Sequence, residues 1–253
     1  MRRLLSSSVL VLAGALMSTG AASAADNVAV FGGTDSLSGT AHIANELKAT
    51  NAFTSVTILT GAETMATLQS YNAILYYTNV GGDLAFSNEM AQYAEDGGHL
   101  VAATFLMKAN SLGGNNVLGN LAGLMPFVGY GGNYIKQVSL AAYDDTSPIM
   151  DEVSTISAFY HDNTSLAPNA QLVASWSDGN PLVAISSSGV IGVNLFPNDA
   201  YGYVSGNYVQ LFENSLLPNA ELSLQGDTPI PEPASMAVLG VGLLGLRATR
   251  RRG

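Results

Sequence analysis

The sequence of 253 residues contains no cysteine, so neither disulfide bonds nor thiolate chemistry is available to it. Basic residues are also scarce, with nine Lys and Arg against 19 Asp and Glu. Between residues 26 and 228 only three lysines stand against 18 acids, which gives this body a net charge of −15. Such a surface repels nucleic acid and anionic lipid, and it is compatible with cations or neutral polymers. No nucleic-acid partner is therefore predicted.

The N-terminal residues 1–24 have the layout of a secretory signal peptide. Arg2 and Arg3 precede an apolar run from Val9 to Met17, and small residues follow at Ala22 and Ala24. The two arginines directly follow the initiator methionine without a further motif, which favours the general secretory route over twin-arginine export. We therefore expect the mature chain to begin after residue 24.

The C-terminus combines three features in a fixed order. Pro231, Glu232 and Pro233 end a linker over residues 225–233, an uncharged apolar stretch follows, and the chain closes on basic residues that include Arg250, Arg251 and Arg252. The apolar stretch is shorter than the roughly 20 residues of a spanning helix, which makes it a marginal permanent anchor. The arginines would stay on the cytoplasmic side.

This arrangement resembles the PEP-CTERM sorting signal of Gram-negative bacteria, with residues 234–253 as its hydrophobic helix and basic tail. The resemblance implies transient retention in the inner membrane and processing by an exosortase-type enzyme. It further implies delivery of the body to the cell surface or to an extracellular polysaccharide matrix. A simple tail anchor remains the alternative.

The body, residues 26–224, alternates apolar strands with amphipathic helices in its first half. Strands are predicted over 27–31, 55–59, 73–78, 100–105, 134–142, 171–176, 181–186 and 190–196. Helices are predicted around residues 43–47, from a Thr60/Glu63 capping box to Leu68, after a Ser87 cap, over 118–124 and over 204–217. The pattern predicts an α/β class with a doubly wound, mostly parallel sheet and an added β-hairpin around Ser177–Asn180.

The body also resembles the class I glutamine amidotransferase-like superfamily, a flavodoxin-like fold that includes trehalose-utilisation-type proteins. The stretches that carry the resemblance are VAVFGGTD, YNAILYYTN, EDGGHLVAATF and SWSDGNPLVAISSSGVIGVNLFPND. Active members place a cysteine after a central strand and a His and a Glu after a late strand. Here Thr104 or Phe105 lies near the nucleophile position, Phe196 stands where the His is expected and Asn198 where the Glu is expected. A phenyl ring cannot accept a proton, so no catalytic residue is predicted.

Ligands of open α/β sheets bind beyond the carboxyl ends of the strands. The residues predicted to line such a pocket are Gly32, Gly33, Thr34, Asp35, Asn79, Thr104, His161, Asp162, Asn198 and Asp199. These residues leave an alternative open, in which a carbohydrate-active or other hydrolase uses Thr104, His161 and either Asp162 or Asp199.

No cofactor and no metal are predicted. The loop after the first strand lacks both G-x-G-x-x-G and the Walker lysine, and the three histidines lack metal-ligand spacing. Asp144–Asp145 and Asp151–Glu152 lack the order of a calcium loop, although a calcium-dependent adhesive module stays a weaker alternative. Recurrent aromatic residues fit either core packing or stacking on sugars. The sequence thus favours an exported, non-catalytic protein with a structural or ligand-binding role.

Overall fold

The computed structural model describes residues 27–33, 37–79, 83–108, 117–198 and 202–220. The predicted signal peptide, the linker and the C-terminal tail lie outside these residues, as do three predicted pocket residues, Thr34, Asp35 and Asp199. In chain order the elements are β1 (Asn27–Phe31), α1 (Leu37–Ala49), β2 (Ser55–Ile58), α2 (Met65–Leu68), β3 (Ala73–Tyr76), α3 (Leu84–Glu95), β4 (His99–Ala103), β5 (Phe127–Val128), β6 (Asn133–Tyr143), β7 (Ile156–Asp162), β8 (Ser165–Leu166), β9 (Gln171–Trp176), β10 (Pro181–Ile185), β11 (Ile191–Val193), β12 (Val204–Gly206) and α4 (Tyr208–Leu216).

One ten-stranded sheet organises the chain, in the order β12-β7-β6-β9-β10-β11-β4-β3-β1-β2. From β2 to β11 neighbouring strands are parallel. From β11 outward the pairs β11–β10, β10–β9, β9–β6, β6–β7 and β7–β12 are antiparallel. We call β10, β9, β6, β7 and β12 the antiparallel wing. The fold is α/β, and its antiparallel part extends well beyond the single hairpin that the sequence predicts.

Helices cover both faces of the parallel half. On one face α1 and α4 pack into a core cluster, to which α1 contributes Ile43 and Leu47, both fully buried. The opposite face carries α2 and α3, and α3 inserts Phe86, Met90 and Tyr93 into a second cluster. The i, i+4 and i, i+3 spacings of these apolar positions place each set on one side of its helix, which explains why short helices can bury a continuous face.

Two predicted helix starts are wrong by a few residues. The short helix α2 is capped by Thr64, whose hydroxyl accepts from Thr67 N, and not by Thr60. The helix α3 is capped by Asp83, whose carboxylate accepts from two main-chain N–H groups in the first turn. Ser87 lies inside α3, where its hydroxyl is 2.9 Å from the Tyr76 hydroxyl. In both segments several residues that can cap a helix lie close together, so the sequence alone does not select one of them.

Two further expectations change in the second half of the chain. Residues 204–206, predicted as the start of a helix, pair with β7 as the edge strand β12. Gly206 then turns at φ +87°, where a side chain would overlap the main chain of Thr155, and the helix α4 follows. His161 and Asp162, which lie outside every predicted strand, belong to β7. Strand pairing overrides the local helical pattern at residues 204–206.

Candidate functional site

The side chain of Asn194, the residue after β11, joins three other segments of the sheet. Its Oδ1 accepts hydrogen bonds from Thr104 Oγ1 and from the main-chain N of Asp162, both at 2.8 Å. Its Nδ2 donates to the main-chain oxygens of Asp162, at 2.8 Å, and of Pro181, at 3.0 Å. Asn194 is buried, and an amide offers two donor hydrogens and two acceptor lone pairs, so its hydrogen-bonding capacity is used in full.

The main chain of Asn194 is held as firmly as its side chain. Its N–H donates to Leu182 O at 2.7 Å, and its carbonyl accepts from Trp176 Nε1 at 2.9 Å. Trp176 is itself fully enclosed in the core. The carboxyl end of β11 is thereby bonded to the ends of β4 and β7 and to β9 and β10 at a single residue. We call these contacts of Asn194 the junction.

Asp162 lies buried beside this junction. Its Oδ2 accepts from Lys108 N at 3.3 Å, and its Oδ1 has no hydrogen-bond partner among the described residues. Together with Thr104, Asn194 and apolar side chains, Asp162 lines a cavity of about 10 Å³, which is room for about one water molecule. Burial raises the pKa of Asp162 to about 7, and the hydrogen bond and charge of Lys108 offset part of that effect.

His161 precedes Asp162 in β7 and contacts a different set of residues, as successive strand residues do. Its Nε2 lies 2.8 Å from Asp178 Oδ2, and its ring lies 6.0 Å from that of Trp176. Burial acts to raise the pKa of Asp178, but hydrogen bonds from Asn180 and His161 outweigh burial and hold that pKa below its ordinary value. The pair fixes the turn between β9 and β10 against β7.

Aromatic rings fill the space beyond the ends of β3, β4 and β11. Phe105, after β4, stacks on Phe196, after β11, with ring centroids 5.2 Å apart and planes inclined by 24°. Phe196 also meets the ring of Tyr77, and Phe105 meets the ring of Tyr160. Lys108 Nζ lies 4.6 Å from the Phe105 ring centroid, within cation–π range.

Residues around the end of β1 are packed closely together. A side chain on Gly32 would overlap the Thr40 hydroxyl and the Tyr77 ring, and Tyr77 Oη donates to Thr40 Oγ1 at 3.2 Å. Asn198 Nδ2 lies 2.6 Å from the position that a Cβ of Gly39 would take. Asn198 therefore packs against the first turn of α1.

The described members of the predicted pocket thus fall into separate groups. Thr104 and Asp162 meet at Asn194, Gly32 and Asn198 lie near α1, and His161 faces Asp178. Gly33 adopts φ +74° after β1, and Asn79 is half-buried after β3.

Asn194 is missing from the predicted set, although it connects the group around Thr104 and Asp162. One signal for it is present in the sequence, because an amide between Val193 and Leu195 interrupts an apolar run. A buried amide in such a run must find hydrogen-bond partners.

The described residues contain neither a group of side chains suited to a metal ion nor a membrane-spanning helix. Among the described residues, no three or more His, Asp or Glu side chains are grouped so that they could hold a metal ion. None of the helices in that same part of the chain has the length and hydropathy to cross a membrane.

The C-terminal resemblance is confirmed by comparison with protein families. Residues 229–252 match the family profile of the PEP-CTERM protein-sorting motif. This motif indicates export and membrane-associated sorting, with processing by an exosortase. No protein of curated function is similar enough to this chain to be counted as a relative.

Solved structures show which fold the body shares. A ThuA-like protein from Bacteroides uniformis superposes with a TM-score of 0.55 at 15% identity, over 76% of this chain and 89% of that one. A cytoplasmic protein from Salmonella typhimurium gives 0.57 at 14% identity, over 75% and 97%. A glutamine amidotransferase from Thermotoga maritima gives 0.46 at 13% identity, over 67% and 75%. The ThuA-like neighbour, with a TM-score above 0.5, is of the trehalose-utilisation type that the sequence resemblance includes, and at 15% identity the likeness concerns the fold alone.

Replacing Asn194 by Ala tests the junction. The Asn194→Ala change leaves Thr104 Oγ1, the N–H of Asp162 and two main-chain oxygens without their partner. Each stranded buried group costs about 1–3 kcal/mol, so we expect the free energy of unfolding to fall by at least about 3 kcal/mol in urea titrations. Asn219→Ala, at an exposed position, is the matched control and should change it by less than about 0.5 kcal/mol. Equal effects of the two changes would contradict this role of Asn194.

Replacing Asp162 by Asn tests the buried carboxyl. The folded-state pKa of about 7 lies above the ordinary 3.8, so the folded protein holds this proton more tightly than the unfolded chain does. The resulting stabilisation is complete below about pH 4 and is lost as the pH rises through 7. Asp162→Asn should remove this part of the pH dependence, which is on the order of 3 kcal/mol between pH 4 and 8.

The measurement is the free energy of unfolding at intervals from pH 4 to 8. Asp144→Asn provides the control, because hydrogen bonds from Thr146 lower the pKa of Asp144 and confine its effect to the acid end. An unchanged slope in Asp162→Asn would show that this carboxyl does not take up the proton.

Proposed function

We propose that this chain is an exported, non-catalytic protein of the bacterial cell surface or extracellular matrix, with a structural or ligand-binding role. The C-terminal motif supports export and exosortase processing. Extracellular polysaccharide is the partner that we propose, since a body with a net charge of −15 disfavours anionic partners. The tail would be held in the inner membrane only transiently.

The stacked rings of Phe105 and Phe196 are the observation that carries the non-catalytic assignment. Phe105 lies near the position where the resemblance places a nucleophile, and Phe196 lies where it places the histidine. Their centroids are 5.2 Å apart, so two phenyl rings occupy the space that a nucleophile and its base would share. Neither ring can transfer a proton.

The arrangement of Thr104, His161 and Asp162 speaks against the alternative of a hydrolase. The Thr104 hydroxyl donates to Asn194 Oδ1, and Thr104 is only 4% exposed. His161 is fully buried and lies against Asp178. A nucleophile needs its base within hydrogen-bond reach and an open space for the substrate, and these residues support neither requirement.

A glutamine hydrolysis assay tests the absence of catalysis. We expect the purified full-length protein to release ammonia from glutamine at the rate of buffer alone, with an active glutamine amidotransferase as the positive control. Turnover above that background that is lost in Thr104→Ala would overturn the assignment, because Thr104 carries the hydroxyl nearest the nucleophile position.

Cell fractionation tests the sorting role. In a host with an exosortase, we expect the unaltered chain outside the inner membrane with its tail removed. A variant with Pro231→Ala, Glu232→Ala and Pro233→Ala keeps the apolar stretch that follows the motif. It should accumulate unprocessed in the inner membrane. Pro218→Ala, outside the motif, is the control. Identical distribution and mass of the two variants would refute sorting through this motif.

A further inference from the structure

The antiparallel wing carries an open groove far larger than the cavity at Asn194. Its volume is about 280 Å³, and it lies where β6, β7 and β12 meet. Two of its residues, Ser139 and Ser205, are the cross-strand partners of Ser157 on either side. The residues that contribute hydroxyl groups to its lining are Ser139, Ser154, Thr155, Ser157 and Ser205, and no charged side chain of the described residues lines the groove.

Hydrogen bonds hold several of these hydroxyl groups in place. Ser157 Oγ accepts from Gln137 Nε2 at 2.6 Å and donates to Val138 O at 3.1 Å. Thr155 Oγ1 donates to Asn207 Oδ1 at 3.1 Å. A hydroxyl that donates one bond and accepts one retains a further acceptor lone pair. The groove therefore presents oriented polar groups to a ligand.

Two aromatic rings lie next to the groove on the same face of the wing. Phe159 is two residues beyond Ser157, which places both side chains on one face and about 6.8 Å apart along the strand. Phe159 N donates to Tyr203 O at 2.8 Å, and the two rings stack with centroids 6.0 Å apart and planes inclined by 24°. Tyr203 is 37% exposed, so part of its ring is available to a ligand.

We propose that this surface, the groove together with Phe159 and Tyr203, binds a neutral saccharide. A sugar ring has an apolar C–H face, which stacks on an aromatic ring, and a rim of hydroxyl groups, which bond to other hydroxyl groups. The uncharged lining and the acidic body disfavour phosphate and carboxylate ligands. The volume lies just under the roughly 300–1,000 Å³ of common small-molecule pockets, and the open groove lets a longer glycan continue past one bound unit.

This site deepens the proposed function and rests on it, because it assigns the proposed polysaccharide partner to a groove on the wing, away from the strand ends where a pocket is predicted. Its binding is measured with purified protein and does not depend on the sorting route. A failure of the saccharide proposal would leave export and absence of catalysis untouched, and a failure of sorting would leave the groove intact.

Titration calorimetry with oligosaccharides tests the proposal. The probes are cellohexaose, maltohexaose and mannohexaose as neutral chains, and a hexamer of galacturonic acid as the anionic chain. We expect the full-length protein to bind at least one neutral hexamer and to bind it more tightly than the anionic one. Tyr203→Ala should raise that Kd at least about fivefold, which corresponds to the loss of about 1 kcal/mol of binding free energy.

Tyr143→Ala is the matched control, because Tyr143 is also in the wing and is 41% exposed. Its Kd should stay within about twofold of that of the unaltered chain. Ser205→Leu, at an exposed position in the groove, removes a hydroxyl group and narrows the groove, and it should weaken binding without depending on loss of the ring.

Thermal unfolding of each variant verifies that it is folded. Three results would overturn the proposal: no binding of any neutral hexamer at millimolar concentration, tighter binding of the galacturonic acid hexamer, or Tyr203→Ala and Ser205→Leu variants that bind as tightly as Tyr143→Ala.

Discussion

The buried amide of Asn194 is the interaction on which the arrangement of the strand ends depends. Its four hydrogen bonds reach Thr104, Asp162 and Pro181, and so connect β11 with the end of β4, the end of β7 and the start of β10. A buried polar group that loses its partners costs free energy, so these segments must meet in one geometry. The junction between the parallel half and the antiparallel wing is therefore specified by polar contacts in addition to apolar packing.

The same interaction also engages polar groups at the strand ends. Thr104 follows the central strand, where its hydroxyl would be best placed for chemistry, and that hydroxyl is engaged by Asn194. The stacked rings of Phe105 and Phe196 occupy the neighbouring space. Asp162 has a pKa raised to about 7, but it faces a cavity of about 10 Å³, too small for a substrate. Burial raises a pKa in structural positions as well as in catalytic ones.

The antiparallel wing gives the fold a surface that the parallel half does not offer. Helices cover both faces of the parallel half, whereas serine side chains of β6, β7 and β12 line an open groove on the wing. Strands with one solvated face alternate apolar and polar residues, and the polar residues that line this groove are uncharged and lie beside two aromatic rings. The ligand site that we propose therefore lies on the face of the wing and not at the strand ends.

The sequence alone was sufficient to predict the C-terminal sorting motif, the α/β class and the strands whose apolar runs are continuous. Asn27–Phe31 has the predicted bounds, because a run of buried residues is a local signal. Tertiary structure alone decided that residues 204–206 form a strand, that His161 and Asp162 have different partners, and that Asn194 is the junction. Asn194 meets Thr104 across 90 residues of sequence and Asp162 across 32. Such partners are set by how strands pair across the sheet, and periodicity within one segment carries no information about that pairing.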